Sequence, residues 1–277
     1  MKKGISAILV VHNEEPIIRR CLESIKEVVD EILIIHDGSC DDKTIKICKE
    51  YTKNVFIGPR KKMAAMHLKF LFEKVKYEWV LKIDADEVLS KELRENIREL
   101  IKNPKADAYS FLWLFWDGKK EVTKKWPTKM ALYKIAKISF LGFPHWDDPK
   151  INGKIINTDY KLEHKTSGGN IPIWKNFKKK GLDFYGPYQA KYTLGNFKDF
   201  DQFQYDRDDF PLTIKIRKNF PLLSAIPFAI LAFFKIYLSE GAWKEGKVAL
   251  KFAFFNMIYY FMLGLQVHDL KKNHKNL

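Results

Sequence analysis

Two aspartates separated by one residue are the feature of this sequence that points most directly to chemistry. Asp84 and Asp86 follow the apolar stretch 79–83, which has the length and composition of a buried strand. Side chains two positions apart point the same way on an extended chain, so both carboxylates can face one ligand. Two hard oxygen donors at a strand end suit Mg²⁺ or Mn²⁺ shared with a diphosphate, which supplies further ligands. A solvated acidic turn before a helix is the simpler interpretation of the pair on its own.

The elements that must position these carboxylates alternate regularly along the first hundred residues. Strands are predicted at 5–11, 31–36, 55–57 and 78–83, and helices at 17–25, 43–51, 61–76 and 90–102. Strands that are apolar on both faces and are each followed by a helix indicate a parallel sheet with right-handed crossovers. Ligands bind such sheets at the carboxyl ends of the strands, where the polar clusters 12–15, 36–42 and 84–87 fall.

Three local signals indicate where helices begin in this pattern. Asn13 is a candidate cap for the first helix, with Pro16 in its first turn, and Ser90 is a candidate cap for the fourth.

From residue 107 to about 162 the pattern changes to alternating, aromatic-rich stretches. These stretches predict antiparallel strands that complete the same domain.

Three motifs carry a specific resemblance. The segments are 8–15 (Ile-Leu-Val-Val-His-Asn-Glu-Glu), 34–44 (Ile-Ile-His-Asp-Gly-Ser-Cys-Asp-Asp-Lys-Thr) and 81–87 (Leu-Lys-Ile-Asp-Ala-Asp-Glu). In this order and spacing they resemble the opening strand, the nucleotide-binding turn and the Asp-x-Asp site of family 2 glycosyltransferases. The resemblance covers about the first 90 residues and implies a GT-A fold, a Rossmann-like α/β domain. The last motif is most similar to enzymes that extend lipopolysaccharide cores or lipid-linked sugars.

The resemblance also implies roles for individual residues. Asp37 would contact the base or ribose of a nucleotide, Asp84 the ribose or metal, and Asp86 the metal directly. The nucleotide-sugar site implied in this way comprises Val11, Asn13, Glu14, Glu15, Asp37, Asp42, Arg60, Asp84 and His145. The turn between Gly38 and Thr44 departs from the family pattern by one residue, which leaves open whether Asp41 or Asp42 plays the second acidic role. Capping of the next helix is an equally good interpretation of both aspartates.

Inverting transfer requires a general base that takes the proton of the acceptor hydroxyl. The segment 143–148 (Phe-Pro-His-Trp-Asp-Asp) resembles the late acidic element of the family. Asp147 is the favoured base and Asp148 the alternative, and His145 would line the site. An Asp-Asp-Pro turn without a catalytic role is the competing interpretation.

A histidine and a basic group complete the predicted site. His164 resembles the histidine that ends a late strand in many relatives and reaches the metal or the diphosphate, although such a residue is more often structural. Arg60, with Lys61 and Lys62, follows the third strand and would face the phosphates unless it belongs to a solvated charge run. With Asp84 and Asp86, His164 forms the predicted set of metal ligands for Mn²⁺ or Mg²⁺.

Composition narrows the class of protein. The 277 residues are 46% hydrophobic and 30% charged, which excludes a disordered polyelectrolyte and a collagen-like repeat. The 49 Lys and Arg against 34 Asp and Glu give a net charge of +15, which predicts a polyanionic partner. No nucleic-acid-binding module is recognisable, and a diphosphate donor and an anionic membrane explain the same charge. Three cysteines without a CxxC pair argue against a disulfide framework or a structural zinc.

The last third of the chain predicts membrane association. The apolar runs 220–238 and 248–267 are close to bilayer-spanning length, but they contain prolines and lysines and are flanked by basic residues. Helices lying in the headgroup layer are favoured over a membrane-spanning hairpin, and packing against protein is a third interpretation. Either membrane arrangement places the protein at the cytoplasmic face of the cell membrane. The N-terminal apolar run is too short for a signal peptide and is interpreted as the first strand.

These observations combine into one hypothesis. Residues 1–165 form the GT-A catalytic domain, 166–210 a connecting segment on the acceptor side, and 211–277 a helical membrane-associating region. The resemblance implies an inverting, metal-dependent glycosyltransferase of hexosyltransferase type that acts in cell-envelope glycan synthesis. Its donor is a nucleotide-diphosphate sugar, UDP favoured over GDP, and its acceptor a lipid-linked or other glycan. A silent GT-A scaffold and a nucleotidyltransferase are the alternatives, and the oligomeric state stays open.

Overall fold

The computed structural model describes residues 1–140, 149–166, 169–195 and 212–274. The chain divides into two compact units. The first unit comprises Met1–Glu121 and Pro127–Asn170, and the second comprises Val122–Trp126 and Ile171–Leu277. A short segment in the middle of the chain therefore belongs to the same unit as the C-terminal third.

The first unit is built on a mixed, mostly parallel sheet. Its strands are β1 Lys2–Val11, β2 Glu31–Asp37, β3 Val55–Gly58, β4 Tyr77–Lys82, β5 Glu87–Leu89, β6 Ala108–Leu112, β7 Thr128–Lys134 and β10 Ile155–His164. They are ordered β3-β2-β1-β4-β7-β6-β10-β5, and β8 Ile138–Phe140 pairs separately with β9 Lys150–Ile151. The predicted antiparallel pairing is confirmed for β7, which is antiparallel to both β4 and β6. It is wrong for β6 and β10, which pair with each other in parallel.

Strand β1 lies at the point where the strand order reverses. It pairs in parallel with β2 on one side and with β4 on the other, with Val11 opposite His36 and Ile8 opposite Lys82. The loop that leaves β4 leads into β5, which contacts α1, the helix that follows β1. A crevice at such a switch point is where open α/β sheets bind ligands.

Four helices cover the parallel half of the sheet: α1 Ile18–Ile25, α2 Thr44–Tyr51, α3 Ala65–Phe72 and α4 Lys91–Lys102. The buried core contains large side chains from the central strands, among them Trp79, Phe111 and Tyr133. The predicted cap of α4 is confirmed, since Ser90 Oγ accepts a hydrogen bond from Leu93 N at 3.2 Å. The predicted cap of α1 is wrong, because that helix begins later and the Asn13 side chain is bonded to Asp41.

The second unit is helical. After α5 Trp174–Asn176 and a π-helical segment Phe177–Tyr185 come α6 Gly186–Leu194, α7 Leu212–Asn219, α8 Pro221–Phe234 and α9 Gly246–His274. A further π-helical turn, Lys235–Ser239, and the 3₁₀ turn Ala242–Glu245 connect α8 to α9. Two stretches, Pro221–Ser239 and Ala242–Asn273, are long and apolar enough to cross a membrane, with mean hydropathies of 1.9 and 1.6. This confirms the expected pair of apolar helices, which is by itself weak evidence for a membrane.

Close packing between α8 and α9 depends on a glycine. A Cβ placed on Gly264 would lie 2.6 Å from the Cβ of Ala225 and 3.1 Å from the carbonyl oxygen of Pro221. Small residues at a helix crossing allow the two backbones to approach closely. Arg217 on α7 is buried in the same unit and lies over the rings of Phe228 and Tyr260.

Candidate functional site

Reciprocal hydrogen bonds join the loops that follow β1 and β2. The Asn13 side chain accepts a hydrogen bond from Asp41 N at 3.0 Å and donates one to the Asp41 carboxylate at 3.3 Å. Asp42 accepts from Glu15 N at 3.0 Å and from Thr44 N at 2.8 Å, so it connects the first loop to the start of α2. Both aspartates thus bond to the loops. Asp42 accepts from the first residue of α2, although the N-cap of that helix is Lys43, which has no side-chain cap.

A buried histidine near the end of β2 also bonds to these two loops. His36 is fully buried, its Nδ1 lies 2.9 Å from the carbonyl oxygen of Gly38, and its Nε2 lies 3.2 Å from Asn13 N. Because the carbonyl only accepts and the backbone N–H only donates, the ring carries its proton on Nδ1. Asn13 itself has a φ of +54°, a left-handed conformation that asparagine tolerates better than most residues.

Asp37 organises the loop after β3. The side chain of this residue is 5% exposed and accepts hydrogen bonds from Lys61 N at 2.5 Å, Lys62 N at 2.9 Å and His67 Nε2 at 2.9 Å. Arg60 also pairs with it. Burial raises the pKa of Asp37, but the hydrogen bonds and the Arg60 charge outweigh this effect and hold the pKa below its usual value. The structure thus brings Asp37 and Arg60 together as a charged pair.

A lysine pairs with two carboxylates of the acidic motif after β4. Lys129 Nζ lies 2.5 Å from Asp84 Oδ2 and 2.7 Å from Glu87 Oε1. Glu87 is completely buried and also accepts hydrogen bonds from Trp113 Nε1 at 2.6 Å and from Asp84 N at 2.9 Å. These contacts fix the turn that presents both aspartates.

The titration behaviour of this group follows from its burial and its opposite charges. Although burial alone would lower the pKa of Lys129, the carboxylates of Asp84 and Glu87 raise it well above its usual value. Partial burial disfavours the charged form of Asp84, but the nearby lysines lower its pKa to about 2. The pKa of Glu87 is raised, because burial dominates and Lys129 only partly offsets it. Lys129 and Asp84 therefore form a charged pair at neutral pH.

Asp86 lies beside the histidine that ends β10. Its Oδ2 is 2.8 Å from His164 Nε2, and its side chain is 33% exposed. The His164 ring stacks on Trp113 with centroids 4.2 Å apart and is otherwise held by Asn170, whose Nδ2 lies 2.7 Å from Nδ1. Asp86 and His164 are 78 residues apart in the sequence, so the last strand of this unit, β10, supplies one side of the acidic site.

The donor set fits a hard divalent cation only in part. Among the described residues, no group of three or more His, Cys, Asp and Glu side chains is arranged to hold a metal ion by itself. Asp84 and Asp86 nevertheless offer carboxylate oxygens on side chains that are 43% and 33% exposed. Such oxygens suit Mg²⁺ or Mn²⁺, provided that other ligands come from substrate phosphates and water. The residues therefore fit a cation shared with a diphosphate and do not fit a self-contained metal cage.

The predicted residues fall into three groups in space. In the first group, Asn13 bonds to Asp41, Glu15 to Asp42, and Glu14 to the first residue of α2. In the second, Asp37 pairs with Arg60, and in the third, Asp84 and Asp86 pair with Lys129 and His164. Val11 is buried at the end of β1. His145, Asp147 and Asp148 lie outside the described residues, so the proposed base stays a prediction.

Sequence reasoning missed three residues that shape the acidic site. Lys129 and Trp113 bond to Asp84 and Glu87 from strands and loops distant along the chain, whereas Asn170 bonds to His164, six residues before it. The sequence holds one indirect indication of them. A glutamate buried next to two aspartates requires a nearby cation and a hydrogen-bond donor. Nothing local indicates which residues supply them.

A small recess lies beside His164. It is lined by Leu112, Leu114, Trp116, Glu121, Lys161, Leu162, Glu163, His164 and Lys165. The Lys165 ammonium lies 5.6 Å from the centre of the Trp116 ring and 2.8 Å from Glu163. An aromatic face with charged groups around it is a surface on which a polar ring compound can stack and form hydrogen bonds.

Comparisons with known proteins give the chain a family. An uncharacterized glycosyltransferase of Rickettsia bellii is 34% identical over 110 residues, which are 39% of this chain and 36% of that protein. The glycosyltransferase SunS of Bacillus phage SPbeta is 32% identical over 108 residues, 35% of this chain and 24% of that protein. The matches thus span 36% and 24% of these relatives' length.

Among solved structures, TarS of S. aureus matches 92% of this chain and 55% of its own at 14% identity, with a TM-score of 0.46. Glucosyl-3-phosphoglycerate synthase from Mycobacterium tuberculosis, solved with Mn²⁺, UDP and glucosyl-3-phosphoglycerate, matches 51% of this chain and 61% of its own. That match has 17% identity and a TM-score of 0.40. The family model for glycosyl transferase family 2 matches residues 6–173, more than half of the chain. The chain belongs to glycosyl transferase family 2.

Proposed function

We propose that this glycosyltransferase moves a sugar, with inversion, from a nucleotide-diphosphate sugar to a membrane-linked or other glycan acceptor in a metal-dependent reaction. UDP is the favoured nucleotide, and envelope glycan synthesis is the favoured context. The observation that carries the proposal is the pair of partly exposed carboxylates, Asp84 and Asp86, on the loop that leaves β4 beside the switch point of the sheet.

The loops around β1, β2 and β3 supply the nucleotide side of the proposal. Their side chains accept hydrogen bonds from the backbone of the neighbouring loop: Asn13 from Asp41 N, Asp42 from Glu15 N, and Glu15 from Lys43 N. Asp37 pairs with the side chain of Arg60. Such bonds hold the loops in place before a ligand arrives, which reduces the ordering cost of binding. The backbone from Val11 to Asn13 and the acidic side chains of these loops would then contact base and ribose.

Charge is the second part of the argument. A divalent cation at Asp84 and Asp86 would offset the negative charge that develops on the departing diphosphate. Asp86 Oδ1 has no hydrogen-bond partner among the described residues, so it is the oxygen best placed to accept a cation. Lys129 holds Asp84 in place and contributes a positive charge of its own to the same edge.

The base of the inverting reaction is proposed to be Asp147, with Asp148 as the alternative. One of them would take the proton of the acceptor hydroxyl while that oxygen attacks the sugar carbon on the face opposite the diphosphate. We expect Asp147→Asn to lower kcat by about 10²-fold or more while nucleotide binding is kept. Near-native turnover of both Asp147→Asn and Asp148→Asn would assign the base to another residue.

The donor site is tested by calorimetric titration of UDP and GDP, with and without Mn²⁺. We expect UDP to bind more tightly when Mn²⁺ is present, and Asp86→Ala to abolish that difference. Glu95→Ala is the matched control, because Glu95 is an exposed carboxylate of the same unit that pairs only with Lys91 among the described residues. Well-folded wild-type protein that binds neither nucleotide would contradict the proposal, and so would Mn²⁺-dependent binding that survives Asp86→Ala.

We also propose that the helical unit lies in the plane of the membrane surface and does not span it. One end of the α8–α9 hairpin is bonded to Val122–Trp126: Glu245 accepts from Lys124 N at 2.6 Å and from Lys125 N at 2.7 Å. This five-residue segment continues at both ends into the first unit. A hairpin that crossed about 30 Å of hydrocarbon would need that end on the far side from its two termini.

The second half of α9 gives the complementary argument. Tyr259 donates to Gln189 at 2.9 Å, and Gln266 donates to the carbonyl oxygen of Leu182 at 3.1 Å, so α6 and the preceding π-helical segment lie along it. That segment exposes three consecutive lysines, Lys178–Lys180. In a spanning arrangement these charges would be at hydrocarbon depth, which is costly. In-plane docking leaves them in water.

A further inference from the structure

The amide of Asn170 is held in one orientation by groups whose hydrogen-bonding roles are fixed. Trp116 N lies 2.5 Å from Asn170 Oδ1, whereas Nδ2 lies 3.2 Å from the carbonyl oxygen of His164 and 3.5 Å from that of Leu114. A backbone N–H can only donate and a carbonyl can only accept. The amide oxygen therefore faces Trp116, and the NH₂ group faces the other side.

This orientation determines where the proton of His164 resides. The NH₂ group of Asn170 lies 2.7 Å from His164 Nδ1, so Nδ1 must accept a hydrogen bond. The neutral ring then carries its proton on Nε2, which lies 2.8 Å from Asp86 Oδ2 and donates to it. Stacking on Trp113 keeps the ring in the plane that both bonds require.

We propose that Asn170 is a positioning residue that fixes His164 as an Nε2–H donor to Asp86. His164 then orients the carboxylate and does not ligate a cation, and Asp86 Oδ1 is left for the ligand. For Nε2 to bind a cation, Nδ1 would have to carry the proton and face the NH₂ group of Asn170, donor against donor. The inference rests on the proposed function only in taking Asp86 as the carboxylate of the donor site.

Asn170→Asp reverses the arrangement with almost no change in shape. One carboxylate oxygen still accepts from Trp116 N, and the other replaces the NH₂ group beside Nδ1. Nδ1 then faces an acceptor and carries a proton, so the Nε2 proton, which still faces Asp86 Oδ2, becomes the one that a cation can displace. Asn157→Asp is the matched control, since Asn157 is exposed on the same strand as His164.

The first test is the tautomer of His164 in protein free of nucleotide and metal. In ¹⁵N NMR of uniformly labelled protein at pH 8, with the signal assigned by its loss in His164→Gln, we expect Nε2–H in the wild type and in Asn157→Asp. We expect Nδ1–H in Asn170→Asp. Nδ1–H in the wild type would overturn the proposal, and so would an unchanged tautomer in well-folded Asn170→Asp. The wild-type spectrum decides even where the variant does not fold.

The second test is the ligand set of Mn²⁺ in the presence of UDP. Pulsed electron paramagnetic resonance should show no ¹⁵N coupling from His164 in the wild type and a clear coupling in Asn170→Asp. Coupling from His164 in the wild type would overturn the positioning role while leaving the donor site intact. A wild type that binds no Mn²⁺ would instead contradict the metal part of the proposed function, and the tautomer measurement would still decide the role of Asn170.

Discussion

At the scale of single residues, the acidic site depends on the charge of Lys129. Lys129 has a side chain that is 15% exposed and contacts both Asp84 and the fully buried Glu87. Removing one partner of a buried ion pair leaves an uncompensated charge, which costs far more than the pair itself contributes. The turn that presents Asp86 should therefore depend on Lys129 for stability as well as for charge.

We expect Lys129→Met to lower the free energy of unfolding by about 3 kcal/mol, measured by urea denaturation. Lys134→Met is the matched control, because Lys134 pairs with Asp107 at 3.2 Å in a more exposed position and should cost less than about 1 kcal/mol. Glu87→Gln in the Lys129→Met background should restore part of the loss by removing the unpaired buried charge. Equal effects of the two lysine substitutions would contradict this account.

At the scale of elements, the helix pair α8–α9 packs closely where Gly264 meets Ala225. Glycine inside a helix ordinarily costs about 1 kcal/mol relative to alanine. The position therefore sacrifices helix propensity for close approach, since an added Cβ would meet the Ala225 Cβ at 2.6 Å. The same close contact sets how far the exposed faces of the two helices are separated.

Gly264→Ala should consequently lower stability, although propensity alone would raise it by about 1 kcal/mol. Overpacking of this kind typically costs about 1–3 kcal/mol. Ala225→Gly in the same chain removes the methyl group that the new Cβ meets, and the double variant should recover part of the loss. Thermal unfolding of the wild type, the two single variants and the double variant gives the interaction free energy between positions 225 and 264. A Gly264→Ala variant that is more stable than the wild type would show that the helix crossing can hold the extra methyl group.

At the scale of the whole molecule, net charge and exposed apolar surface bear on the proposed membrane association. The chain carries a net charge of +15, and α8 leaves large apolar side chains exposed, with Leu223 at 78% and Ile226 and Leu231 at 60% each. Lys235 and Glu240 lie at the end of that helix, and the Lys235 side chain is 74% exposed. Apolar side chains with adjacent cations are typical of helices that lie in the headgroup layer of an anionic membrane.

We expect the protein to float with vesicles that contain anionic lipid and to bind neutral vesicles much more weakly. Leu223→Glu combined with Leu231→Glu should abolish flotation while UDP binding is kept, whereas Ile155→Glu, at an exposed position of β10, should leave flotation unchanged. Sodium carbonate should release the wild type, as it does surface-bound proteins. Resistance to carbonate would support a spanning hairpin instead.

The sequence by itself determined the alternation of strands and helices, the polar clusters at strand ends and the Asp84–Asp86 pair. These are local properties: periodicity, caps and the direction of neighbouring side chains follow from a few consecutive residues. The one failed cap shows the limit of local reasoning. Asn13 can bond a helix start or another loop, and the choice depends on Asp41, which β2 delivers from 28 residues away.

Only the tertiary structure decided which partners the acidic site has. Lys129 comes from β7 and bonds to Asp84, and Trp113 follows β6 and bonds to Glu87; each is 26 or more residues from its carboxylate. Asn170 follows β10 and acts on Asp86 through His164, which is 78 residues from Asp86. Strand order and register place them there, and both result from packing the whole sheet rather than from any local pattern. The two carboxylates were recognisable in the sequence because binding one ligand together requires them to be close along the chain. Their supporting residues were not, because a buried charge requires a partner in space and sets no condition on where along the chain it comes from.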